Sequence, residues 1–303
     1  MTPDHTELVD AIYEAAFAPD LWSGVLQETA SAIDAEGALL FTSRGTLSRS
    51  IVSPGIRETV RAFNEAGWGA RNTRAARLLA DMRDGFVTDF DLFSEEELRR
   101  EPMYSEFLVP NGYGWGAATS IQLSSGDIFI ISYEKKYAAG PVDRNGIRYL
   151  DALRPHFARS AFLSARLEFE RITGAMAALE LTGLPSAVLS ASGKVIAANR
   201  LFEAGQAAFT IGSRDRLRTG HPSTDQVVRL AMDKLEIGEY PPVQSIPLFA
   251  QDRKLPGGIM HFLPLRGVAR DFFSGAAGFV IVTPVAADHS PAEHIVQALF
   301  DLS

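Results

Sequence analysis

The sequence predicts an α+β protein of two modules, each an antiparallel sheet covered by helices, joined by a long helix that Pro155 kinks or restarts. Three observations carry that prediction. The first half reads as helices, a short apolar strand, more helices and a hairpin; the second half reads as a hairpin, helices and three further strands. Between them a helical period persists from Asp143 to about Leu181. The third observation is size: 303 residues, 46% hydrophobic and 22% charged, suit about two domains at ~150 residues each.

In the first module, Leu8, Val9, Ile12, Ala15 and Ala16 keep a helical period until Pro19, and Leu21, Trp22, Val25, Leu26 and Ala30 repeat it to Ile33. Ala38 to Thr42 is a short apolar run after Gly37, which suits a buried strand. Residues 56–82 are helical in pattern, interrupted at Gly67 and Gly69. Ser94 and Glu97 stand three apart, the spacing of a capping box, and open a helix to about Arg100. Strands over 115–123 and 127–134 flank Ser124-Ser125-Gly126, a turn of hairpin length.

The long helical stretch places Ser160, Ser164 and Arg171 on would-be heptad seams, so its spacing is only partly that of a coiled coil. Small residues at Ala158, Ser160, Ala161, Ser164 and Ala165 admit a close neighbour, either a second copy or the chain's own elements. Beyond it, strands over 186–189 and 194–198 form a hairpin, and Asn199 caps a short helix. A helix from Ser223 or Thr224 turns Val227, Val228, Leu230, Ala231 and Leu235 inward. Strands over 243–249, 258–265 and 278–285 complete a five-stranded antiparallel sheet with helices on one face, and residues 293–302 are helical in pattern.

Composition excludes several functions. A net charge of −8 does not suit a surface that attracts a phosphate backbone. The longest apolar run, Gly275 to Ala287, is broken by Thr283 and Pro284 and reads as a strand, not a membrane span. The polar start Met1-Thr2-Pro3-Asp4-His5 lacks a secretory pattern, so a cytoplasmic location is expected. Zero cysteines exclude disulfides and thiol chemistry, and the six histidines show no metal-ligand spacing. The glycines of Asn111-Gly112-Tyr113-Gly114-Trp115-Gly116 precede a strand, whereas a dinucleotide loop opens a helix. No phosphate-binding loop or nucleophile elbow is present. His156 reads as a helix-surface histidine, and the pair Asp89 and Asp91 as a loop entering a helix, not an acid/base site. No catalytic constellation emerges, and the chain is read as a non-enzyme.

Aromatic residues cluster between positions 41 and 115, where all three tryptophans lie. Most fill a core, but aromatic walls with a few polar tips are also what a small-molecule pocket needs. Phe63, Trp68, Asp89, Tyr104, Phe107 and Trp115 are the candidate ligand-binding residues, with buried indole and phenol groups in want of polar partners.

The run Gly183-Leu184-Pro185-Ser186-Ala187-Val188-Leu189 through Ser192-Gly193-Lys194 to Ala198-Asn199 resembles the opening of a PAS domain: strand, glycine turn, strand, capping Asn. The whole chain resembles a group of LuxR-type bacterial transcription regulators, through Ala11-Ile12-Tyr13-Glu14-Ala15-Ala16, Pro19-Asp20-Leu21-Trp22, Tyr104-Ser105-Glu106-Phe107-Leu108, Leu153-Arg154-Pro155-His156 and Phe272-Phe273-Ser274-Gly275-Ala276. That resemblance implies a GAF-like sensing domain over residues 1–142, a connecting helix and dimer interface over 143–182, and a PAS-like domain over 183–303. It further implies that a DNA-binding helix-turn-helix follows Ser303, with Gln297 to Ser303 as its lead-in. The expected partners are a small-molecule effector, a second copy of the chain and, through that further domain, DNA. No membrane partner and no cofactor are expected, and His221 is the one lone histidine weighed as a haem ligand. The alternative is a ligand-independent dimerisation scaffold, which predicts a filled first-module core.

Overall fold

The computed structural model describes residues 5–42, 50–81, 83–122, 128–190, 193–204, 209–236, 243–249, 258–265 and 276–284. The fold is α+β with antiparallel sheets and one long helix. The described chain divides into two compact units, the first ending at Glu168 and the second beginning at Phe169.

The first unit contains α1 (His5–Phe17), α2 (Trp22–Ala32), β1 (Gly37–Thr42), β2 (Ser50–Val52), α3 (Arg57–Glu65) and α4 (Thr73–Asp81). β3 (Val87–Thr88), α5 (Asp89–Leu92), α6 (Glu95–Arg100), β4 (Tyr113–Gln122) and β5 (Ile128–Lys136) follow, and then α7 (Arg144–Leu181) begins. Its sheet has the order β2-β1-β5-β4-β3, all antiparallel. The three expected strands form its centre; the two short edge strands, β2 and β3, carry too few residues to show a period of two. The interruption expected at Gly67 and Gly69 within 56–82 is present: α3 and α4 are separated by a short 3₁₀ turn, Trp68–Arg71, entered through Gly67 at φ 72°. The Ser94–Glu97 capping box is present: Ser94 N donates to Glu97 Oε2 at 2.8 Å and Glu97 N to Ser94 Oγ at 3.3 Å. The expected Ser124-Ser125-Gly126 turn lies outside the described residues.

Because strand side chains alternate, each central strand serves two different faces. Ala38 and Leu40 of β1, Ala117 and Ile121 of β4, and Phe129, Ile131 and Tyr133 of β5 join a core with Leu8, Ile12, Trp22, Leu26, Leu150, Leu153 and Phe157 of α1, α2 and α7. Tyr133 Oη donates to Thr29 Oγ1 at 2.9 Å, which satisfies the phenol where it is fully buried. The opposite face presents Leu39, Phe41, Ala118 and Ile130 to α4 and to the π-type turn Met103–Leu108.

α7 continues through Pro155 without a fresh start. Ring closure removes the amide that would bond the Asp151 carbonyl, while the Asp151 side chain accepts from Phe86 N at 2.7 Å. The small-residue stretch is covered by the chain itself at Ser160, whose Oγ donates to the Ile12 carbonyl of α1, and at Ala161 in the same core.

In the second unit, β6 (Ser186–Ser190), β7 (Val195–Ala198), α8 (Arg200–Glu203), β8 (Phe209–Ile211), β9 (Leu217–Thr219), α9 (Pro222–Glu236), β10 (Gln244–Leu248), β11 (Gly258–Pro264) and β12 (Ala276–Pro284) follow in order. Five of these strands form an antiparallel sheet in the order β10-β11-β12-β6-β7, and β8 and β9 pair separately. Asn199 caps α8: its Oδ1 accepts from Phe202 N and Ser186 N, both at 3.0 Å, and its Nδ2 donates to the Leu184 carbonyl at 2.8 Å. Two expectations are corrected. Helices lie on both faces of this sheet, because Ile172 and Met176 of α7 pack on Val188 while Phe202 of α8 and Val228 of α9 pack with Ala187 and Leu189 behind it. On α9, Val228 and Ala231 are buried but Val227 and Leu230 are exposed, since the sheet covers a narrower stripe than the apolar residues span. The side chain of Leu235 and residues 293–302 lie outside the described residues.

Candidate functional site

The second face of the first sheet is not filled. A cavity of about 60 Å³ lies between it and the elements above, room for on the order of five waters or a small ligand. Its floor follows from strand register: Leu39 pairs with Ser132 and Ser132 with Ala118, while Glu134 pairs with Gly116. Small and polar side chains therefore stand where the other face carries Ile131 and Tyr133. Thr59, Val60 and Phe63 of α3 roof the cavity although α3 has no fully buried residue. Arg74, Ala75 and Leu78 of α4 and Met103, Phe107 and Leu108 of the π-type turn close its sides.

At one end lies a buried ionic cluster centred on Arg74. Its Nε donates to Tyr104 Oη at 3.0 Å and stands 3.0 Å from Asp89 Oδ1 in an ion pair, and its Nη1 donates to Glu134 Oε1 at 2.6 Å. Asp89 also accepts from Gly116 N at 2.6 Å, and Ser132 Oγ donates to Glu134 Oε1 at 3.1 Å. Gly116 is what admits the guanidinium to the sheet: a Cβ there would stand 2.9 Å from Nη1 and 3.0 Å from Cζ.

Among the described residues, two polar atoms of this cluster have no protein hydrogen-bond partner, Arg74 Nη2 and Glu134 Oε2, and both residues line the cavity. Burial opposes the charge on Arg74, but the carboxylates of Asp89 and Glu134 outweigh it and hold the guanidinium ionised. Burial raises Glu134 and Asp89 above the ordinary carboxylate range, against the pull of Arg74. Asp89 is paired with Arg74 and bonded by Tyr104 and Gly116, whereas Glu134 keeps a free oxygen where a proton or a ligand donor can sit.

Of the sequence candidates, Phe63 and Phe107 line the cavity, with ring centroids 5.3 Å apart at 75°. Tyr104 and Asp89 stand behind it and hold Arg74. Trp68 backs Phe107 at 6.2 Å and carries the Arg71 guanidinium 4.2 Å above its ring. Trp115 is not among the lining residues; it stacks on Tyr137 at 5.4 Å and donates from Nε1 to the Tyr137 carbonyl at 3.0 Å. Strand alternation accounts for this, since Trp115 shares its parity with Ala117 and Ile121 of the opposite face. Asp91 forms a capping box with Thr88 at the start of α5, so the two aspartates do unrelated work.

Sequence reasoning missed Arg74 and Glu134. Their signal was present: Arg74 stands four before Leu78 on the buried side of α4, and Ser132 and Glu134 alternate with Ile131 and Tyr133 along an otherwise apolar strand. Elsewhere, His156 Nδ1 bonds Tyr13 Oη at 3.2 Å and His221 Nδ1 bonds Ser223 Oγ at 2.8 Å. Among the described residues no group of three or more metal-ligating side chains gathers, and no helix is long and apolar enough to cross a membrane.

No family model matches the chain, and no curated protein matches it. Among solved structures, it is similar to the N-acylhomoserine lactone dependent LuxR family transcription factor CepR2 from Burkholderia cenocepacia, at 15% identity and TM-score 0.39 over 54% of this chain and 98% of that one. It is similar to the VqsR LBD domain from Pseudomonas aeruginosa at 16% identity and TM-score 0.35, over 53% of this chain and 96% of that one. A sensor region of a sensor histidine kinase gives 13% identity and TM-score 0.26, over 55% of this chain and 62% of that one. With TM-scores this low the likenesses carry no conclusion, and the functional reading rests on the residues of the site.

Proposed function

We propose that the first unit is a small-molecule sensor, and that the chain is the sensory region of a LuxR-type transcription regulator. In this reading residues 1–142 bind the effector, 143–182 connect and dimerise, and 183–303 are PAS-like. One observation carries it: an apolar cavity on a sheet face that ends at a buried cluster with one free donor and one free acceptor. Phe63 and Phe107 form the aromatic wall, Arg74 and Glu134 the polar end, and Tyr104 and Asp89 orient Arg74. A ligand-independent scaffold has no use for such a cavity.

The signal has a route. Glu134 and Ser132 touch the cavity, while Ile131 and Tyr133 of the same strand pack in the core that holds Leu150, Leu153 and Phe157 of α7. An effector that favours one setting of β5 therefore biases how α7 packs, and the bias equals its difference in affinity for the two settings. The test is thermal stability of the purified chain across a small-molecule library, with native mass spectrometry for retained ligands. At least one compound is expected to stabilise the wild type and not an Ala118→Phe variant, whose ring occupies the cavity. A library in which every stabiliser acts equally on both proteins refutes the reading.

A further inference from the structure

We propose that the cavity takes a small α-amino acid with an apolar side chain, its carboxylate on Arg74 Nη2 and its ammonium on Glu134 Oε2. This rests on the reading of the cavity as a ligand site and goes further by naming the ligand's chemistry. Both atoms lack a protein partner, both residues line the cavity, and Arg74 is only 7% exposed. They belong to two residues already joined by the 2.6 Å bond from Nη1 to Oε1. An α-amino acid carries an anionic acceptor and a cationic donor on one carbon, one for each member of the pair.

Charge and the two unpartnered atoms together select between the possible head groups. Asp89 and Glu134 share a single guanidinium, so with both acids ionised the cluster is one charge negative. A ligand with only a carboxylate adds a second unbalanced negative charge in a buried place. One with only an amine answers Glu134 but leaves Arg74 Nη2 without an acceptor. A zwitterion adds no net charge, gives Arg74 Nη2 an acceptor and Glu134 Oε2 a donor, and both contacts are charge-assisted hydrogen bonds. Most of the remaining wall, including Leu39, Phe41, Val60, Phe63, Phe107 and Ile130, is apolar and suits an aliphatic side chain, and of its polar members Thr59 donates to Tyr113 Oη and Asn72 accepts from Ala75 N. The small free volume limits that side chain to about the size of valine or leucine.

The test is isothermal titration of the full chain with L-valine and L-leucine, beside isovalerate, isobutylamine and isobutyramide as acid-only, amine-only and uncharged probes. An amino acid is expected to bind saturably, and each single-headed or uncharged probe about tenfold more weakly or worse. Glu134→Gln, with an unchanged circular dichroism spectrum, is expected to lower amino-acid affinity by a similar factor. Equal or tighter binding of any of the three probes overturns the proposal, as does the absence of amino-acid binding. If a probe binds as tightly as the amino acids or more tightly and Ala118→Phe abolishes its binding, the cavity is a ligand site and only the amino-acid assignment falls. If no probe binds and no library compound distinguishes wild type from Ala118→Phe, both fall. Should Glu134→Gln fail to fold, the probe series on the wild type decides alone.

Discussion

On one face of the first sheet Ala38, Leu40, Ala117, Phe129, Ile131 and Tyr133 interlock with α1, α2 and α7, and Trp22 lies 6.2 Å from Phe157 in that core. On the other face the residues between them, Leu39, Ala118, Ser132 and Glu134, leave a cavity under α3 and enclose a cluster of three buried ions. The strands are the same and the spacing is 2.0 residues, so the difference lies wholly in side-chain size and polarity. A solid face gives the unit its stability, and the face behind it is free to carry unfilled space and unbalanced charge. Binding sites are made where the packing rules are broken and where neighbouring structure can bear the cost.

The largest effects are expected where that division is attacked directly. Phe157→Ala, a fully buried ring on the solid face, should destabilise the chain by about 3–5 kcal/mol in urea unfolding. A loss under about 1 kcal/mol would mean that this face is not the principal core. Arg74→Met removes the one cation of the cluster and should cost about 3–5 kcal/mol near neutral pH by leaving two carboxylates buried together.

That second loss should depend on pH. Burial raises Glu134 and Asp89 above their unfolded values, so the folded state binds the extra protons. Their contribution is full below the ordinary carboxylate range and is lost as pH rises through the folded values. The Arg74→Met deficit should therefore shrink when unfolding is repeated near about pH 5. A deficit that stays constant with pH would show that Arg74 acts through packing alone.

Adjacent residues provide the sharpest contrast. Ala117→Leu forces a larger side chain into the solid face and should cost about 1–3 kcal/mol. Ala118→Leu grows into the cavity and should cost less than about 1 kcal/mol while weakening any ligand of the site. Equal costs at the two positions would erase the distinction between the faces. The smallest effect is expected at Trp115, where Trp115→Leu loses its stacking on Tyr137, about 0.5–1.5 kcal/mol, and leaves ligand-induced stabilisation unchanged.

Much of this fold was legible locally. The periods of α1, α2 and α7, the Ser94 and Asn199 caps and the strand-rich second unit are each written within a few neighbouring residues. The short edge strands were not, because three residues at Ser50–Val52 and two at Val87–Thr88 become strands only by pairing with β1 and β4. The aromatic cluster contains Phe63 and Phe107, which line the cavity, and Trp115, which does not and whose direction depends on strand parity across the register shift between Tyr113 and Trp115.

The sequence by itself determined the α+β class, the order of the principal helices and strands, and which residues in each carry apolar or polar chemistry, because those follow from periods of 3.6 and 2.0 and from short-range capping. Only the tertiary structure decided that Arg74, Asp89, Tyr104 and Glu134 meet, since they come from α4, α5, the π-type turn and β5 and are joined by pairing and packing over 60 residues of chain. Long-range contacts leave no local period, and the site is made entirely of them.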